Sequence, residues 1–362
     1  MAADPQEKLR RLLAGSIPFP ASGRVWLVDT GLDFLAREAL AALGGERLRA
    51  VERDLVAARR LAAALPVLSV AHAPRALPDP GDFAVLPLDK DRRALFGTLA
   101  ALAARIGPAG SLAVYGGRRE GIEPALSYLA GFCALAPPLA RAGLRLALAR
   151  PEPGRAAEPL ELPASYLAEA RGCRVPVACR PGVFSWRALD AATALMLERC
   201  APRAGDRLLD LGCGAGVVAA VLLGEGRVSE ATLVDSDALA LEAAAATLAL
   251  NGLSAPAARI QASDAGSELE ADRFDLILCN PPLHRGFAAE WDVPARMIDE
   301  SMRLLAPRGR LLIVGPPALR LGPRLAVRFQ ETERLSADIA LELWRASRPR
   351  RPGLSADARR ES

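Results

Sequence analysis

Lysine is nearly missing from this chain: Lys8 and Lys90 are the only two, although lysine and arginine together number 46 in 362 residues. The basic charge is therefore almost all guanidinium, which grips phosphates in a planar fork and stacks on bases. A nucleic-acid partner is admissible on that ground. It is not demanded, because the net charge is only +4 and arginine with abundant alanine also reads as a coding bias. Aromatic residues make up 4%, so the cores must rest on Leu, Val and Ala. Histidine occurs twice, as His72 and His284, and no Cys-x-x-Cys pair joins Cys133, Cys173, Cys179, Cys200, Cys213 and Cys279. These scarcities argue against a zinc site and, at this length, against a disulfide framework. The N-terminus has no basic segment followed by an apolar run, and stretches such as Leu144–Leu148 are too short to span a membrane. The expectation is a cytoplasmic protein with no metal and no membrane partner. Oligomeric state is not written in the sequence; a monomer is the default.

What is present is a domain-sized repeat. In the second half a short apolar strand, Arg207–Leu211, runs into Asp210-Leu-Gly-Cys-Gly-Ala-Gly216 and a helix, Val217–Leu223. A strand closing on Asp235, a helix over Ala238–Leu250, strands Arg259–Ala262 and Phe274–Cys279, a helix Arg296–Leu305 and a strand Arg310–Val314 follow. Strands alternating with helices predict an α/β fold, a doubly wound and mostly parallel sheet covered on both faces. The first half repeats the order: Val51-Glu-Arg-Asp54 answers Val234-Asp-Ser-Asp237, and Asp82–Leu86 answers Asp275–Cys279. Pro108–Val114 answers Pro307–Ile313. Two tandem Rossmann-like domains are expected, residues 1–149 and 165–346, joined by a linker, 150–164, and ended by a basic disordered tail, 347–362. A small hairpin pairing Val175–Ala178 with Gly182–Ser185 is expected before the helix Leu189–Cys200. Aligning Gly31 with Gly212 puts Asp33 and Leu35 where Gly214 and Gly216 stand, and Pro87-Leu-Asp89 where Asn280-Pro-Pro stands. The first copy then keeps the fold and lacks the site.

Two motifs carry chemistry. A glycine-rich turn between strand and helix lets the backbone approach a ligand at the carboxyl edge of the sheet. The nicotinamide fingerprint places its third glycine three residues after the second; here Val217 holds that position. Asp210-x-Gly212-x-Gly214-x-Gly216 is instead the spacing typical of S-adenosylmethionine binding, though such turns also serve packing. Asp235, ending the second strand, can accept hydrogen bonds from ribose hydroxyls, and Asp237 is the better candidate to cap the next helix. Asp264, past the third strand, is placed to take an adenine amino group, or it belongs to an ordinary turn. Asn280-Pro281-Pro282 follows an apolar strand at the same edge. Proline removes an N–H and stiffens the turn, so the Asn280 side-chain oxygen and the Pro281 carbonyl stand as acceptors for the two hydrogens of a planar exocyclic amine.

With Pro181-Gly-Val-Phe184-Ser, Leu189-Asp190 and Asn280-Pro-Pro-Leu283-His284 added, the chain resembles the bacterial rRNA guanine exocyclic-amine (N2) methyltransferases of the RsmC/RlmG type. The likeness is strong from about Pro181 to Gly315 and holds in outline before Arg150. It implies S-adenosylmethionine as cofactor, ribosomal RNA as partner, and a first copy that supports RNA recognition or folding. It implies that Phe184 and Asp190 border the cofactor, that Asp235 and Asp264 hold its ribose and adenine, and that Asn280, Pro281 and Pro282 are catalytic. Leu283, His284 and Phe287 fall to the target base. The family pattern has an aromatic residue where Leu283 stands; a base stack is worth about 1–3 kcal/mol, so Phe287 supplies it or the substrate differs. His284 shapes the pocket, shuttles a proton or makes a structural hydrogen bond. Trp186 and Arg187 also depart from the pattern. Two other readings stay open: methylation of another planar amine (a protein glutamine amide or a DNA adenine), and a non-catalytic RNA-binding or assembly protein.

Overall fold

The structure, a computed structural model, describes residues 15–350 except 32, 75–80, 142, 272, 283–291 and 338, together with residues 9 and 13. The chain divides into two compact units between Leu162 and Pro163. No described helix is long and apolar enough to cross a membrane.

The first unit runs β1 (Val25–Val28), α1 (Asp33–Leu43), β2 (Leu48–Glu52), α2 (Leu55–Ala64), β3 (Ser69–His72), β4 (Phe83–Pro87), α3 (Arg92–Ile106) and β5 (Ser111–Gly117). It continues through α4 (Ile122–Leu129), β6 (Cys133–Leu135), β7 (Leu139–Arg141) and β8 (Leu144–Pro151). Its sheet has the order β3-β2-β1-β4-β5-β8-β6, with β7 also on β8. The strands are parallel except for β6, β7 and β8, which enter by antiparallel pairs.

The second unit begins with a hairpin, β9 (Ser165–Ala170) and β10 (Cys173–Ala178), and then α5 (Ala191–Arg199). β11 (Asp206–Leu211), α6 (Val217–Gly224), β12 (Val228–Asp235), α7 (Ala238–Leu250), β13 (Ala258–Ala262) and β14 (Phe274–Cys279) follow. α8 (Asp292–Leu304), β15 (Leu305–Gly315), α9 (Leu321–Arg328), β16 (Phe329–Ala337) and β17 (Glu342–Pro349) complete it. Its sheet order, β13-β12-β11-β14-β15-β17-β16, is the same winding as in the first unit. The two doubly wound α/β sheets expected from the sequence are both present.

Burial on both faces explains why these strands read as unbroken apolar runs. Leu208, Leu276, Leu278 and Leu312 pack into one core layer, while Leu209, Leu211, Ile277, Cys279, Leu311 and Ile313 pack into the other. α6 is apolar all round and its Val218–Leu222 segment is wholly buried, as a helix enclosed by its surroundings must be.

Three expectations need correction. The hairpin pairs Val175–Ala178 with Ser165–Ala168, not with Gly182–Ser185, which lies in turns. Its position is fixed by Ala178 N–H donating to buried Thr247 Oγ1 (3.0 Å) and by Asn251 Nδ2 donating to the Pro176 carbonyl (2.8 Å). Arg150 and Pro151 belong to β8 rather than to a linker, because they pair with Ala134 and Cys133. Ser347–Pro349 are not tail: they continue β17, opposite Arg310, Glu331 and Phe329. Residues 351–362 of the expected tail lie outside the described residues.

The register between the copies is also two residues off the expected one. Asp29 N–H donates to the Val51 carbonyl as Gly212 N–H donates to that of Val234, so Asp29 stands at Gly212, Gly31 at Gly214, Asp33 at Gly216 and Leu27 at Asp210. Gly31 N–H then bonds Glu52 (3.1 Å) as Gly214 N–H bonds Asp235 (3.0 Å). The first copy keeps the loop's internal bond. It has a side chain, Asp29, at the first glycine, and that side chain accepts from the Arg53 N–H.

The second unit's polar anchor is Arg310, buried against Asp206 at 2.7 Å and donating also to the Ala201 carbonyl at 2.6 Å. Removing one partner of such a pair leaves a charge buried and uncompensated. Arg310→Ala should cost about 3–5 kcal/mol of unfolding free energy. Arg174→Ala, which loses only the exposed contact with Glu169, should cost about 0–1 kcal/mol. Urea denaturation of the two variants checks the contrast, and equal losses would contradict it.

Candidate active site

Strand order reverses at β11, which has β12 on one side and β14 on the other. Ligands of open α/β sheets sit outside the carboxyl ends of the strands at such a point. The candidate residues converge there because of strand register: Leu211 pairs with Val234 and with Cys279, so the segments after all three strands emerge side by side.

The loop after β11 uses its three glycines differently. Gly212, Gly214 and Gly216 all have positive φ (79°, 51° and 76°), a region that glycine enters without strain. A Cβ added at Gly216 would press on Ala244 at 3.1 Å, so this glycine lets α6 start against α7. At Gly212 it would meet Met297 Cε at 3.1 Å. At Gly214 it would meet nothing within 4 Å among the described residues. Gly214 is the open face of the loop, and its N–H is fixed by Asp235 Oδ2 at 3.0 Å.

Asp210 is 3% exposed, and its Oδ2 has no hydrogen-bond partner among the described residues. Burial raises its pKa from 3.8 to about 7, against the lowering effect of a hydrogen bond from the Ala219 backbone and with a further push from the charge of Asp235. The same desolvation, aided by Asp210, drives the Cys279 thiol well above its ordinary range, so that cysteine is an inert packing group.

Asn280 follows β14, half-buried, with Pro281 buried and Pro282 half-buried. Its Nδ2 donates to Asp190 Oδ2 and to Thr193 Oγ1, each at 3.0 Å. Asp190 is the N-cap of α5, accepting from the Thr193 N–H at 2.9 Å. It therefore lies at the Asn-Pro-Pro turn, and its Oδ2 accepts from both Asn280 and the helix end. Thr193 was missed by sequence reasoning. Its one signal is the spacing Asp190-x-x-Thr193 at a helix start, and nothing local ties that pair to a residue ninety positions on.

Asp264 follows β13 and is paired with Arg296 of α8 at 2.5 Å; its N–H donates to Glu268 at 3.2 Å. Arg296 is a second residue absent from the sequence reading. Phe184 is 66% exposed. Trp186 beside it is buried, and the Arg187 guanidinium lies 4.8 Å from the centre of its ring, which gives the departure at these two positions a packing role. Leu283, His284 and Phe287 lie outside the described residues. The residues present suit the S-adenosylmethionine expected from the sequence. They offer open space over Gly214, a fixed carboxylate at the end of β12, and a buried carboxylate oxygen on Asp210 that awaits a donor.

Known proteins resemble this one across both units. The Methyltransferase small domain family matches residues 174–341. The Ribosomal RNA small subunit methyltransferase C of Pseudomonas aeruginosa (strain UCBPP-PA14) is 34% identical over 273 residues, which cover 73% of this chain and 79% of that protein. The protein of the same name from Stutzerimonas stutzeri is 33% identical over 268 residues, 74% of this chain and 79% of its own. Among solved structures, the T. thermophilus 16S rRNA N2 G1207 methyltransferase (RsmC), in complex with AdoMet and guanosine, superposes with a TM-score of 0.78. It is 26% identical, and the match covers 96% of this chain and 92% of that one.

The raised pKa of Asp210 has a stability consequence with a definite sign. Between the unfolded value near 4 and the folded value of about 7, the folded chain holds a proton that the unfolded chain has released. Stability therefore falls as pH rises through that window, and the whole penalty is present above it. Asp210→Asn should match the wild type near pH 4 and exceed it at pH 8. Urea melts across the range check this; a gap that does not change with pH would contradict the assignment.

Proposed function

The chain belongs to the ribosomal RNA small subunit methyltransferase C family, and we propose that it transfers a methyl group from S-adenosylmethionine to the exocyclic N2 amine of a guanine in ribosomal RNA. The observation that carries this reading is the adjacency of Asn280-Pro281-Pro282, after β14, and the glycine loop, after β11. When bound, the cofactor supplies an electrophilic methyl group on a sulfonium.

The chain's own residues do the rest by placement. In this reading Gly212, Gly214 and Gly216 let the backbone approach the cofactor, Asp210 and Asp235 offer carboxylate acceptors, and Asp264 takes the base. Asn280 Oδ1 and the Pro281 carbonyl accept the two hydrogens of the guanine amine. Neither Pro281 nor Pro282 has an N–H, so the turn presents acceptors without a competing donor. Holding both hydrogens aligns the nitrogen lone pair, and the same two oxygens face the positive charge that develops on nitrogen as the bond forms. The product ammonium is acidic enough to lose its proton to water, so no strong base is needed. Phe184, exposed beside the buried Trp186, is read as an edge of the cofactor site. Leu283, His284 and Phe287 are read as the border of the base. The first unit, with Asp29 and Asp33 at two glycine positions, is assigned to RNA recognition or support. The protein is read as acting in the cytoplasm as a monomer.

Asn280→Ala should abolish methyl transfer while leaving affinity for S-adenosylhomocysteine within a few-fold. Asp235→Ala should chiefly weaken that affinity. Calorimetric titration and methyl transfer to ribosomal RNA measure the two effects; near-normal turnover by Asn280→Ala would remove the amine clamp. Methyl mapping of ribosomal RNA from cells with and without the gene should show one N2-methylguanine lost, and an unchanged map would overturn the substrate.

A further inference from the structure

The donors and acceptors around the Asn280 amide match one to one. Its Nδ2 has two hydrogens, and two acceptors meet them: Asp190 Oδ2 and Thr193 Oγ1, each at 3.0 Å. The Thr193 hydroxyl spends its own hydrogen on Asp190 Oδ2 at 3.3 Å and keeps a lone pair for Asn280. Asp190 is in turn held by the Thr193 backbone N–H at 2.9 Å. A carboxylate only accepts. Turning the Asn280 amide over would set its oxygen against Asp190 Oδ2, leave two acceptors in contact and deprive Thr193 of its donor. One orientation survives, and in it Oδ1 points away from α5.

We propose that Asp190 and Thr193 are positioning residues that fix the Asn280 amide with its oxygen turned to the acceptor amine. This rests on the amine-clamp reading and adds to it the device that makes Asn280 an acceptor rather than a donor. An unanchored asparagine would present its amino end for part of the time, and that end repels an N–H. The assignment gives Asp190 Oδ2 a role beside the expected one of bordering the cofactor.

Asp190→Ser separates positioning from helix capping, because serine caps a helix as well as aspartate does but is too short to reach Asn280. It should keep the melting temperature and the affinity for S-adenosylhomocysteine of the wild type. Its kcat should fall by about 10²-fold, the cost of small misplacements at a reacting centre, with KM for RNA little changed. Asp190→Asn retains an oxygen at the same reach and should recover most of kcat. Thr193→Val, close in shape, should lower kcat by a smaller factor and carries the test if Asp190→Ser does not fold. By 15N NMR the Asn280 Nδ2 protons should exchange slowly in the wild type and faster in Asp190→Ser and Thr193→Val. Unchanged kcat and exchange in both variants, with Asn280→Ala inactive, would overturn the positioning role and leave the clamp standing. Loss of S-adenosylhomocysteine affinity as the main effect of Asp190→Ser would return Asp190 to the cofactor. Activity in Asn280→Ala would remove the clamp and this inference together.

Discussion

The parallel pairing of β11 with β14, Leu211 against Cys279, is the constraint on which the site depends. It places the end of one strand, where the glycine loop begins, beside the end of another, where Asn280 begins. Nothing in the loops themselves would bring these segments together. Their adjacency is maintained by two apolar layers on opposite faces of the sheet, Leu208 and Leu276 on one side, Leu209 and Ile277 on the other. A slip of one residue in that register would exchange the layers and part the two motifs. The packing that stabilises the fold is thus also what aligns the chemistry.

Several polar groups that anchor this unit are paired inside it. Arg310 and Asp206 satisfy one another beneath the amino ends of the strands. Arg171, at the turn of the hairpin, reaches Glu225 at 2.9 Å and donates to the Leu197 and Cys200 carbonyls. Asp210 contrasts with them, with one oxygen lacking a partner among the described residues. A buried, under-satisfied carboxylate is destabilising in itself, and such groups gather where a ligand is received. Its position one residue before the paired ends of β11 and β14 agrees with that reading.

Much of this was legible in the chain because parallel strands buried on both faces leave continuous apolar runs. Phe274–Cys279 and Ala238–Leu250 are read from sequence with the ends the structure gives them. The hairpin was misread because its turn, Arg171-Gly172, has positive φ at both residues (53° and 76°). Arginine is not a residue that announces such a turn, as asparagine or aspartate before glycine would. Its first strand, Ser-Tyr-Leu-Ala-Glu-Ala, has no strong β character either. The link from Asp190 to Asn280 was illegible for another reason: it joins a helix cap to a strand end across ninety residues and exists only once the sheet is assembled. The two-residue error in matching the glycine loops came from aligning like letters. Backbone hydrogen bonds, not letters, set that register.

The corrected register sets Leu27 against Asp210, one fully buried and the other nearly so, at equivalent points of two sheets with the same winding. One copy has filled the centre of its sheet with hydrocarbon; the other keeps a charge-bearing group there. A single domain must compromise between a centre that is easy to fold and a centre that is ready to bind. Duplication relaxes that compromise, because each copy can settle on one side of it. Leu27 and Asp210 mark where the copies part: the same point of the sheet carries an apolar side chain in one and a carboxyl group in the other.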